Sequence, residues 1–155
     1  MNKKIIIAII AVLVPIAVYA GSPLFYSVST NEPLPQTTQS NDISTQGTPQ
    51  LLVSGQFSGV NDGIHSAQGM AKILKLEDGK QLLRLEDFKT TNGPDLHVYL
   101  ASDKSAQDYV DLGKLKANIG NQNYEIPDGT DLAKYDTALV WCKQFSVLFG
   151  SAEVS

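Results

Sequence analysis

The hydrophobic positions of this chain fall into two regimes separated by a polar break. From Ile5 to Tyr26 apolar residues run almost without interruption, and no charged residue occurs between Ile5 and Asn31. From Leu51 onward the apolar residues come in short alternating runs, broken by Gly, Asn, Asp and Pro. Residues 27–50 (SVSTNEPLPQTTQSNDISTQGTPQ) lie between and offer little to bury.

The first regime predicts one transmembrane helix over 5–26. A hydrocarbon core about 30 Å thick needs about 20 apolar helical residues, and this stretch supplies them. Lys3 and Lys4 favour keeping the stub 1–4 in the cytoplasm. Pro15 is tolerable in such a helix, and Tyr19, Phe25 and Tyr26 suit the outer interface. The alternative is a cleaved secretory signal, because Val18-Tyr19-Ala20 resembles a small-x-small cleavage site. The apolar run continues past Ala20 into PLFY, which favours the anchor. Both readings place the remainder on the extracytoplasmic side, anchored to the membrane or secreted. Residues 27–50 cannot offset the entropy of ordering and read as a flexible linker.

The second regime predicts an all-β domain, an antiparallel sandwich or barrel, over 51–155. LLVSGQF (Leu51 to Phe57) reads as a strand. In MAKILKL, Ala71 and Ile73 share one face, Lys72 and Leu74 the other. Glu77-Asp78-Gly79-Lys80 is a hairpin signal, since Asp-Gly adopts the positive φ that such turns need. QLLRLEDF returns as the partner strand. Asn92-Gly93-Pro94 is a turn, and DLHVYLAS sets Leu96, Val98 and Leu100 opposite His97 and Tyr99. YVDLGKLK, NYEIP, ALVWCKQF and VLFGSAEV complete the series. Turn signals about every 8 to 12 residues mark this architecture. Trp141, Phe145 and Phe149 are the expected core aromatics.

The net charge of −4 and the lack of clustered Lys and Arg exclude a nucleic-acid footprint. The one cysteine, Cys142, excludes an internal disulfide. On an alternating strand Cys142 shares a face with Val140 and Ala138, while Trp141 and Leu139 face the other way. A buried cysteine acts as a small hydrophobe, and an apolar setting disfavours the thiolate that reacts. Lys143 points away from it. His65 lies in a loop where it can serve as a ligand, as a base or as a solvated turn residue. His97 reads as part of a half-exposed strand face.

Two His, one Cys and Met70 match the ligand types of a blue-copper site, but no His or Met follows Cys142. A covalent haem would need Cys-x-x-Cys-His, which is absent. Haem held non-covalently by Cys142, with or without His65, stays open. Glu86-Asp87 and the Asp131 to Asp136 stretch lack the spacing of a calcium loop. No Gly-x-Ser-x-Gly elbow is present.

GQFSGVNDGIHSAQGMAKIL, RLEDFKTTNGPDLHVYL, VDLGKLKANIGNQNYEIP and YDTALVWCKQFSVLFGSAEV together resemble the DM-thirteen domain, a family described as electron transfer. The resemblance covers about Leu51 to Val154. It implies a β-sandwich-like domain with a recurrent cysteine, matched by Cys142, acting as a bare redox thiol or as a ligand to a group such as haem. It also implies a His at the position of His65. The expectation is therefore a membrane-tethered redox or electron-transfer domain with Cys142 as its thiol or ligand, His65 as helper, and a redox or surface protein as partner. The alternative is a non-catalytic binding module in which Cys142 is structural.

Overall fold

The computed structural model describes Lys3 and residues 26–35, 48–60 and 62–155. The anchor expected over 5–26 lies outside the described residues apart from Tyr26. No helix among the described residues is long and apolar enough to cross a membrane.

Among the described residues ten strands form two five-stranded sheets. The first sheet has the order β1 (Ser29–Asn31), β8 (Ile119–Ile126), β5 (Gln81–Thr90), β4 (Ala67–Lys75), β2 (Gln50–Gln56). The second has β3 (Ser58–Gly59), β10 (Val147–Glu153), β9 (Thr137–Cys142), β6 (Leu96–Ala101), β7 (Tyr109–Lys114). All pairings are antiparallel except that of β1 with β8. The all-β expectation therefore holds for the described residues.

The alternation read from the sequence places the core. Ala71, Ile73, Leu83, Leu85 and Phe88 of the first sheet meet Leu96, Val98, Leu100, Ala138, Val140 and Cys142 of the second in one buried cluster. Tyr99 and Leu139 face the other way and form a smaller cluster with Ala101, supported by Trp141, Leu148 and Ala106. The β4–β5 hairpin turns where Asp78-Gly79 predicts, with Gly79 N–H donating to Leu76 O at 3.0 Å.

Two expectations need correction. Phe145 is not a core residue; it sits in the β9–β10 turn and is 64% exposed. The alternating pattern ends at Cys142, so extrapolating it past Lys143 misassigned the turn. Nor is the whole of 27–50 a free linker. Residues 29–31 pair with Ile119, Gly120 and Asn121 of β8. Glu32 is ion-paired to Lys116 at 2.8 Å, and Arg84 Nη1 donates to Glu32 O at 3.1 Å. A polar segment with little to bury can still add a strand where a sheet edge offers unpaired backbone groups.

Candidate functional site

Cys142 closes β9, aligned with Leu96 on β6 and Val147 on β10. The next residue turns away, its N–H donating to Asp95 O at 2.9 Å. The sulfur belongs to the main core cluster on the Ala138–Val140 face, and the residue is 1% exposed. Lys143 lies on the opposite side, ion-paired to Asp111 at 3.3 Å.

Phe149 belongs to the same core cluster. The β9–β10 pairing aligns Leu148 with Trp141 and Gly150 with Val140, which leaves Phe149 as the extra residue of a bulge. Bulges re-aim a side chain, and this ring is turned inward and buried. Its tip meets Gly93, where a Cβ would stand 2.9 Å from Phe149 Cζ and 2.7 Å from Leu96 Cδ2. A side chain there would force Leu96 and Phe149 to shift.

His65 meets the same ring edge-on, at 4.5 Å between centroids. Asp62 fixes it in place. Asp62 Oδ1 accepts the N–H groups of Ile64 at 2.9 Å and His65 at 2.8 Å, and Oδ2 is hydrogen-bonded to His65 Nδ1. The His65 N–H and then the ring hold the Asp62 carboxyl well below the ordinary carboxylate range. Cys142 and His65 thus sit at the same end of the domain, and the ring contact of His65 is with Phe149.

Cys142 is 1% exposed within the packed core, so a haem could reach its sulfur only if the core opened. Drug- and cofactor-sized pockets occupy about 300–1,000 Å³. A groove of about 160 Å³ at this end is lined by Val28, residues 93–96 and residues 114–118, not by the cysteine. Among the described residues no group of three or more His, Cys, Asp or Glu side chains could hold a metal ion.

A second polar constellation lies on the outer face of the same strands, and the sequence reading missed it. His97 is buried, contrary to the half-exposed placement expected for it. Its Nδ1 lies 3.0 and 3.1 Å from the two Asp111 oxygens. Its Nε2 lies 3.4 Å from Asp95 Oδ1, and both of these buried atoms lack a well-directed hydrogen bond. Lys114 Nζ is 3.1 Å from that Asp95 oxygen as an ion pair. Burial alone would raise the Asp111 carboxyl, but hydrogen bonds from His97, the Gly113 N–H and Lys143 outweigh it and lower the group. Beside it Tyr99 stacks on Tyr109 at 4.2 Å, and burial together with the Asp111 charge pushes its hydroxyl well up. Asp95 and His97 are two apart and share a strand face, a signal present in the sequence; that β7 would cover them was not.

Two β-sheets closing on a cysteine-bearing core, with a histidine loop over one end, define a small all-β domain whose one thiol is enclosed. Residues 56–154 match the family model described as Electron transfer DM13, and the chain belongs to that family. No curated protein and no solved structure matches the chain.

Proposed function

We propose that the chain is a membrane-tethered, extracytoplasmic electron-transfer accessory domain in which Cys142 is the redox-active or ligating group. Family membership supports electron transfer in the coarse sense. The observation that carries the assignment to Cys142 is its position: the last residue of β9, at the end of the core that also holds Phe149. An interior mid-strand thiol would open only with the whole sandwich. A thiol at a strand end can be reached by a local opening of that end, where Phe149 and the loop bearing His65 also lie. As a bare thiol its chemistry is exchange with a partner protein's disulfide. The Cys142 thiol loses its proton, the thiolate attacks one sulfur to form a mixed disulfide, and the partner's second sulfur leaves as a thiolate that takes up a proton.

A second reading is favoured by the 1% exposure of Cys142. In it the cysteine fills space and the domain is a non-catalytic binding module, since fold alone does not assign function. A thiol-reactive probe added to the native, full-length protein decides between the two. Labelling of Cys142 under native conditions, or a visible absorption band from a bound group, supports the redox reading. Labelling only after denaturation, with no band, leaves the binding module.

A further inference from the structure

The end of the domain that holds Phe149 and His65 is also where the chain enters. Val28 O accepts the N–H groups of Asn118 and Ile119, at 2.9 and 3.2 Å. Asn118 O accepts Thr90 N–H, Ser66 O accepts Thr91 N–H, and Asp95 O accepts Lys143 N–H. The loops 60–66, 91–95, 115–118 and 143–146 therefore gather at one end with Val28. Apolar side chains stand out from that end: Tyr26 is 72% exposed, Ile64 71% and Phe145 64%. Scattered apolar residues need no explanation, but several on one rim do.

We infer that this end lies against a lipid bilayer surface, with Ile64 and Phe145 inserted beside the point where the chain enters the membrane. The inference rests on the proposed anchor at 5–26. Given that anchor, geometry leaves the domain little room. A residue spans at most about 3.6 Å, and Val28, only two residues beyond Tyr26, is already hydrogen-bonded to the domain. No stalk separates the two. Aromatic and large aliphatic side chains are the types that favour the interface.

Charge agrees with this orientation. The loops 102–108 and 127–136 at the far end carry Asp103, Asp108, Asp128, Asp131 and Asp136 against Lys104 and Lys134. The loops at the entry end balance Asp62 and Asp95 against Lys116 and Lys143. Pressing the first set, with its uncompensated charge, against a bilayer would cost more desolvation than pressing the balanced second set. The inference carries a functional consequence: a partner reaching Cys142 would approach at the lipid surface, past the same loops.

Tryptophan placed at Phe145 or Ile64 tests this in the full-length chain, reconstituted into vesicles of phosphatidylcholine and phosphatidylglycerol containing brominated phosphatidylcholine. Emission is compared with the parent, which supplies the Trp141 background. Leu51→Trp, exposed at the far end, is the control. A side chain seated about 5–10 Å into the headgroup–acyl boundary is expected to lose about half or more of its added emission to the bromines. Phe145→Trp and Ile64→Trp should show that loss and Leu51→Trp should not. Equal, weak quenching at all three overturns the inference, as does a blue-shifted but unquenched Phe145→Trp, which signals contact with protein. Flotation separates the two levels. A chain that floats with unquenched tips keeps its anchor and loses only the docking; a chain that does not float loses both.

Discussion

Replacing Phe149 with alanine should speed the labelling of Cys142 by more than the loss of stability explains. The ring is buried, meets His65 at 4.5 Å between centroids and reaches Gly93 with its tip. Truncating a core Phe costs about 3–5 kcal/mol. If that cost falls on local opening at the Cys142 end of the core, the opening equilibrium rises by about two to three and a half powers of ten, at 1.4 kcal/mol per tenfold. The rate of thiol labelling should rise by the same factor and depend only weakly on urea, because little surface is exposed. The control is Ile126→Ala, a buried aliphatic position aligned with Gln81 at the opposite end, with an expected cost of about 2–5 kcal/mol. It should accelerate labelling only through global unfolding, with the full urea dependence. The assay is the labelling rate against urea for both variants, compared at equal global stability. Equal rates and equal urea slopes would refute the local-opening argument, because Cys142 would then be reached only by unfolding the sandwich.

Gly120→Ala should release the strand at 29–31: φ at Gly120 is +107°, and a Cβ there would lie 1.8 Å from Thr30 O. The strain alone is about 1–3 kcal/mol, and amide exchange at Thr30 and Asn31 should rise ahead of that in β4 and β5. Acidification should destabilise the fold partly through Glu86, whose carboxyl is lowered from 4.5 by the Lys72 ammonium, against the opposing effect of burial, with Arg84 assisting. A folded-state value below the unfolded one means stability present above about pH 4.5 and lost as pH falls through the folded value. Glu86→Gln should therefore melt with a shallower pH dependence across that window. Gln122→Leu should leave the backbone N–H and C=O of Ala117 unpaired, since Gln122 Oε1 and Nε2 bind them at 3.1 and 2.7 Å. Each orphaned group costs about 1–3 kcal/mol, measurable as a lower urea midpoint with an unchanged slope. Phe145→Ala should leave the melting of the domain in detergent within about 0.5 kcal/mol of the parent, as for exposed positions generally.

Period-two alternation by itself determined most of the core of this protein. Side chains on a strand alternate strictly, so Leu96, Val98, Leu100, Ala138, Val140 and Cys142 could be assigned to one face before any coordinates. Turn chemistry located the Asp78-Gly79 hairpin for the same local reason. Tertiary structure decided whatever depended on which strands become neighbours. The bulge that turns Phe149 into the core exists only in the pairing of β10 with β9. The burial of His97 comes from Asp111 arriving on β7, fourteen residues away. The strand at 29–31 is polar and silent in pattern, and forms because β8 presents an open edge about 90 residues later in the chain. Local periodicity carries no information about partners so distant in sequence, whereas backbone hydrogen bonds and excluded volume act on whatever the fold brings together.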